Sequence, residues 1–81
     1  MIVLFADGVP EVFAELPQDV RRRAAQSIEL ISDFPRMYPV RRRGLMRGYH
    51  YFVAGRFLFY YSVAATEIRM TAIIPASMRC A

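Results

Sequence analysis

The chain has 81 residues with 11 basic and seven acidic side chains, and its net charge is +4. This length provides one domain with one core, which excludes a second domain. Hydrophobic residues make up 56% of the chain, so we expect part of the apolar surface to stay exposed. The positive charge favours partners that carry phosphate or acidic groups.

Several functions are excluded by what the sequence lacks. Residues 1–6 have neither the basic start nor the long apolar core of a signal peptide, and no apolar run is long enough to span a membrane. We therefore expect a cytoplasmic protein with no membrane partner. Cys80 has no second cysteine to pair with, and one Cys with one His provides too few ligands for zinc. We expect no metal and no cofactor.

The start of the chain predicts a strand and a short helix. Residues 1–5 are rich in β-branched and aromatic side chains, which favours a strand. A helix is predicted to begin near Pro10. Pro17 stops it after about two turns, because proline lacks the backbone N–H that a helix interior needs.

A longer second helix is predicted for residues 17–33. Proline is favoured at the first helical position, and Asp19 in the first turn suits the positive end of the helix dipole. Its apolar residues recur at the spacing of one buried face: Val20, Ala24, Ile28 and Ile31. Phe34-Pro35 ends the helix, since the residue before a proline is pushed out of the α region.

Three further strands are predicted at residues 45–53, 56–63 and 67–74. The first two are separated by Ala54-Gly55, the spacing of a tight hairpin, and the second is apolar on both faces, as a central strand should be. In the third, four residues are expected to share one face: Ile68, Met70, Ala72 and Ile74. The order is β-α-α-β-β-β, an α+β fold in which two N-terminal helices cover one face of an antiparallel sheet.

Arginines gather just before the hairpin: Arg41, Arg42, Arg43 and Arg47. Three tyrosines follow: Tyr49, Tyr51 and Tyr61. A guanidinium pairs with phosphate through a planar fork and also stacks on bases, so this segment is suited to nucleic acid or to an acidic peptide. Every basic residue in the chain is arginine, which indicates bidentate or stacked contacts, although a GC-rich genome would produce the same bias.

Five stretches match a known family in order and spacing: residues 16–21 (LPQDVR), 34–39 (FPRMYP), 43–45 (RGL), 55–61 (GRFLFYY) and 73–79 (IIPASMR). Together they resemble the RelE/ParE superfamily of toxins from bacterial type II toxin–antitoxin systems. The resemblance extends over nearly the whole chain. It implies a small basic toxin that halts growth and is neutralised by a cognate antitoxin.

Members of this superfamily divide into gyrase inhibitors and ribosome-dependent mRNA endonucleases. Residues 75–81 provide no general acid of the nuclease type, because arginine stays protonated at neutral pH. We therefore predict that the chain belongs to the ParE-like branch, whose members bind gyrase and perform no chemistry themselves. A homodimer is one possible oligomeric state. The predicted contact surface contains Arg41, Arg42, Arg43, Arg47, Tyr49 and Arg56.

Two alternatives stay open. In a ribosome-dependent mRNA endonuclease, Arg43 and Arg56 would hold the scissile phosphate. His50 is the candidate for proton transfer, because imidazole titrates near neutral pH, and Arg79 would be an auxiliary phosphate contact. The other alternative is a degenerate family member kept as a non-toxic interaction module.

Overall fold

The computed structural model describes residues 1–78. Its elements follow the order β1 (Ile2–Phe5), α1 (Val9–Ala14), α2 (Gln18–Asp33), β2 (His50–Ala54), β3 (Phe57–Val63) and β4 (Glu67–Pro75), and a short 3-10 turn (Ala76–Met78) follows. The predicted α+β class and the order β-α-α-β-β-β are confirmed.

Prolines and one arginine define the boundary between the two helices. Pro10 lies in the first turn of α1, and Pro17 is the N-cap of α2, so this helix begins at Gln18, one residue after the predicted start. Arg21 Nη1 donates a 2.8 Å hydrogen bond to the carbonyl of Ala14, the last residue of α1. That carbonyl has no partner within its own helix, so α2 completes the end of α1.

The sheet has the order β1-β4-β3-β2 and is mixed. Strands β2, β3 and β4 are antiparallel neighbours as predicted, whereas β1 runs parallel to β4, with Val3 opposite Ile68. The prediction of a wholly antiparallel sheet is therefore corrected for β1. The reason is the helical crossover between β1 and β2, which joins strands of the same direction, and β4 shares that direction after two hairpin reversals.

Both helices pack on one face of the sheet. The predicted stripe of α2 is confirmed, because Val20, Ala24 and Ile31 are buried and Ile28 is partly buried against the same core. From the sheet, Phe59 and Tyr61 of β3 are fully buried in this core. Their neighbours Leu58 and Tyr60 point to the opposite face and are also buried, as expected for an interior strand.

A β-bulge changes the side-chain alternation of β4. Tyr60 lies opposite Ala72 but Tyr61 lies opposite Met70, so Thr71 is an extra residue between them. Ile73 consequently packs with Ile68 and Met70 in the helix-side core. The prediction that residues 68, 70, 72 and 74 share one face is wrong beyond the bulge.

Candidate functional site

Residues 41–49 form a closed loop, here called the arginine loop. Its two ends are joined by backbone hydrogen bonds, from Arg41 N to Tyr49 O (2.7 Å) and from Gly48 N to Arg41 O (2.9 Å). Gly44 and Gly48 have φ angles of 84° and 93°, which other residues adopt only with strain. The predicted strand at residues 45–53 is therefore wrong before His50, because these glycines turn the chain.

Three arginines and one leucine of the loop are exposed to solvent. Arg42, Arg43 and Arg47 are exposed, and Leu45 between them is 100% exposed. Arg41 is half-buried, and its Nε donates a 3.0 Å hydrogen bond to the carbonyl of Arg43. With Tyr49 at its end, the loop therefore brings together five of the six predicted contact residues.

The part of the sequence around this loop contains basic residues and no acidic ones. Residues 34–66 contain six arginines and no aspartate or glutamate, whereas six of the seven acidic residues lie in residues 1–33. Within residues 1–78, the one ion pair joins Arg69 and Glu67 at 3.1 Å, outside the loop. The exposed side chains of Arg42, Arg43 and Arg47 therefore create a positive potential that attracts anionic partners.

Arg56 lies at the other end of the hairpin from the arginine loop. It is exposed, it follows Gly55 in the β2–β3 turn, and its carbonyl accepts a hydrogen bond from Ala76 N at 2.7 Å. His50 is paired with Tyr61, five residues further along the strand from Arg56. At the usual rise of a strand, His50 and Arg56 are separated by roughly 17 Å along the sheet.

His50 is held by the segment that covers the end of the sheet. Its Nδ1 lies 2.8 Å from the carbonyl oxygen of Tyr38, and its ring is stacked on Tyr61 with centroids 5.2 Å apart. A carbonyl oxygen only accepts, so Nδ1 carries the proton and donates. In the neutral ring, Nε2 is then the nitrogen with a free lone pair.

Residues 34–40, the connector between α2 and the arginine loop, are attached to this end of the sheet. Tyr61 Oη donates a 3.0 Å hydrogen bond to the carbonyl of Pro35, and Tyr38 Oη donates to Ser27 Oγ at 3.2 Å. Burial raises the pKa of Tyr61 to about 12, against a smaller opposing effect from the backbone of Tyr38. The hydroxyl therefore stays protonated and donates at any physiological pH.

The three tyrosines of the predicted nucleic-acid surface are buried or half-buried. Tyr61 is 0% exposed, and Tyr49 and Tyr51 are half-buried. The ring of Tyr51 lies 5.9 Å from that of Tyr60 on the face opposite the helices. Tyr51 and Tyr61 therefore pack against other aromatic rings of the sheet, Tyr61 against His50 and Phe52.

The predicted site residues thus fall into separate places. Arg41, Arg42, Arg43, Arg47 and Tyr49 are in one loop, whereas His50 is in a packed cluster beside it. Arg56 is at the far turn, and Arg79 lies outside the described residues. The sequence reading missed Leu45 as an exposed residue. The two flanking glycines, Gly44 and Gly48, were the signal for a turn that would expose it.

The described part of the chain, residues 1–78, contains neither a metal-binding cluster nor a membrane-spanning helix. No three His, Cys, Asp or Glu side chains in this part of the chain are close enough together to hold a metal ion. None of its helices has the length and the apolar character needed to cross a membrane.

Comparison with known proteins adds no relative. A scan against protein-family models finds no match, and a search of curated proteins finds none with significant similarity.

Proposed function

We propose that this protein is a growth-inhibiting toxin of a type II toxin–antitoxin module, of the ParE-like kind. It acts in the cytoplasm by binding its target, with gyrase as the target that the family resemblance implies, and a cognate antitoxin neutralises it. The observation that supports a binding role is the arginine loop. It is held in shape by its own backbone and exposes cationic side chains that have no acidic neighbour in the loop.

The positions of the other candidates favour binding over catalysis. Metal-free RNA cleavage needs a base, an acid and cations around one phosphate. His50 and Arg56 are roughly 17 Å apart along the sheet, too far to act together on one phosphate group. His50 also holds the connector through the Tyr38 carbonyl, which is a structural role.

Expression and gyrase assays test this proposal. Production of the protein in bacteria without antitoxin should stop growth, and the purified protein should block supercoiling or trap cleaved DNA on gyrase. The double variant Arg42→Gln/Arg43→Gln should raise the inhibitory concentration about tenfold or more, because charge complementarity is lost. The matched control Arg22→Gln/Arg23→Gln removes two adjacent exposed arginines from α2 and should inhibit like the wild type.

Three results would count against it. Unimpaired supercoiling with no trapped complexes would reject gyrase as the target. Equal loss of inhibition in both double variants would show a general charge effect in place of a loop contact. Normal growth at high expression would favour the degenerate interaction module.

A ribosome-dependent endonuclease is the second candidate, and the orientation of His50 favours it. The Nδ1–H bond to Tyr38 leaves Nε2 as the nitrogen that accepts a proton, next to the loop that contains Arg43. Translating ribosomes with a defined mRNA separate the two functions. Codon-phased cleavage that is lost in both His50→Gln and Arg56→Ala would establish the nuclease and overturn the binding mechanism.

A further inference from the structure

Leu45 is an apolar side chain placed in solvent by a well-defined backbone. A turn is closed by the hydrogen bond from Arg47 N to Gly44 O at 3.2 Å, and Leu45 is the first of its two central residues. A second turn follows, from Tyr49 N to Met46 O at 3.1 Å, with Gly48 in the left-handed region. The exposure of Leu45 therefore follows from the folded shape of the loop.

The surroundings of Leu45 favour a particular kind of anionic partner. Arg43 and Arg47 lie two residues to either side, both exposed, in a region without acidic residues. Proteins that bind the minor groove of DNA combine arginines with an aliphatic wedge that separates two stacked base pairs. A leucine flanked by arginines at a loop tip has the composition of such a wedge.

Single-stranded nucleic acid fits this surface less well. Single-strand binding depends on exposed aromatic rings on which successive bases stack. Within the arginine loop the one aromatic ring is that of Tyr49, which is half-buried, and the exposed rings of Phe5 and Phe34 lie in β1 and the connector. The side chain that the loop exposes is aliphatic, which suits insertion between base pairs of a duplex.

We infer that the arginine loop is a binding site for duplex DNA, with Leu45 inserted at a base step from the minor groove and Arg43 and Arg47 on the flanking phosphates. The inference goes beyond the proposed function, because it concerns DNA itself and needs no gyrase. The undisturbed minor groove is about 6 Å wide, too narrow for a loop of two chain segments with side chains. Binding must therefore widen the groove and kink the duplex.

The first test is the salt dependence of binding to a fluorescent duplex of about twelve base pairs, without gyrase. Each phosphate contact contributes about −0.9 to the slope of log K against log salt. Arg43→Gln/Arg47→Gln should flatten the slope by about 1.8, whereas Arg22→Gln/Arg23→Gln should keep the wild-type slope. Equal slopes in all three proteins, or no binding to the duplex at 50 mM salt, would overturn the inference.

The second test measures the wedge. With 2-aminopurine at a central TA step, which is easily unstacked, the wild type should raise its fluorescence on binding. Leu45→Ala should lose most of this rise and retain the salt slope. A rise that persists in Leu45→Ala, or tighter binding to single-stranded RNA of the same length, would overturn insertion into a duplex.

The variants of Arg43, Leu45 and Arg47 should fold like the wild type, because no residue of the arginine loop belongs to the buried core. Their circular dichroism spectra and melting temperatures should match those of the wild type. If the protein binds DNA but does not inhibit gyrase, the proposed function alone is rejected. If it inhibits gyrase but has no affinity for DNA, this inference alone is rejected.

Discussion

Two side chains of the sheet hold the connector by hydrogen bonds to its backbone. Tyr61 donates to the carbonyl of Pro35, and His50 donates to that of Tyr38. The rings of His50 and Tyr61 are also stacked, so one pair of neighbouring strand residues holds the connector at two points, Pro35 and Tyr38. The arginine loop begins immediately after this segment, so its orientation depends on these contacts.

The raised pKa of Tyr61 makes stability fall at high pH. The ordinary pKa of 10 is raised to about 12 by burial, so the folded protein retains a proton that the unfolded chain releases. This contribution is fully present below pH 10 and is lost as the pH rises from 10 to about 12. Within that window the free energy of unfolding should decrease by up to about 1.4 kcal/mol per pH unit from this group. Urea unfolding at several pH values measures it.

The variant Tyr61→Phe provides the control for that titration. It removes the hydroxyl, so its free energy of unfolding should fall less steeply above pH 10 than that of the wild type. At pH 7 it should be less stable by about 1 kcal/mol, because the Pro35 carbonyl loses its donor. Parallel slopes for both proteins would show that Tyr61 is not the group responsible.

At the scale of elements, the β2–β3 turn approaches α2 closely. Gly55 has a φ of 59°, and a Cβ built on it would lie 2.7 Å from Val20 Cγ2. Val20 is buried, and its branched side chain is stiff, so it cannot easily move away. Glycine is therefore required at this turn both for its backbone conformation and for helix packing.

We expect Gly55→Ala to destabilise the protein by roughly 2 kcal/mol or more, from left-handed strain and the contact with Val20. Val20→Ala removes the clashing methyl, so the double variant should be more stable than the sum of the single effects by about 0.5 kcal/mol or more. Denaturant unfolding of all four proteins measures this coupling.

Gly48→Ala is the matched comparison for Gly55. Gly48 has a φ of 93°, but no atom lies within 4 Å of its built Cβ. Its substitution should cost only backbone strain, and Val20→Ala should add to it independently. Coupling of Val20 with Gly48, or none with Gly55, would contradict the packing explanation.

Local patterns predict most elements of this fold, and pairing between distant strands accounts for the misses. The apolar stripe of α2 and the Ala54-Gly55 hairpin follow from spacing alone. The partner of β1 lies more than sixty residues away along the chain, and no pattern within residues 1–5 shows the direction of that pairing. The bulge at Thr71 has no local signal either, because no glycine or proline in residues 67–74 marks it.

The candidate site was less predictable than the fold. Clustering of arginines in the sequence does place Arg42, Arg43 and Arg47 in one loop. Whether a ring near them is free to stack depends on packing that no local pattern reveals. Tyr61 is buried because it faces α2 from an interior strand, and its sequence neighbours are equally aromatic.

At the scale of the whole molecule, the two edges of the sheet differ. The outer edge of β2 is covered by the connector, through the Val40–His50 bridge and the hydrogen bond from Tyr51 N to Pro39 O at 3.0 Å. Among the described residues, strand β1 forms the other edge, pairs with β4 alone and contains no charged residue. Proteins commonly protect such edges with a charge, a proline or a bulge.

The net charge of +4 and the open edge of β1 have opposite effects on self-association. At low salt, repulsion between copies should keep them apart, because the Debye length at about 0.01 M is near 30 Å. At 1 M salt the Debye length is about 3 Å, so charge repulsion no longer opposes pairing between the exposed edges of two copies. We therefore expect association to increase with salt, as measured by light scattering.

Ile2→Lys should suppress that association, because a lysine on β1 would have to be desolvated in an edge-to-edge pair. Ile2 is 67% exposed, so the free energy of unfolding of the monomer should change by less than about 0.5 kcal/mol. Val53→Lys adds the same charge at an apolar residue that is 58% exposed on β2, away from the open edge. If β1 is the associating edge, Val53→Lys associates like the wild type. Equal suppression by both lysines would assign the effect to net charge, and suppression by Val53→Lys alone would assign it to the face opposite the helices.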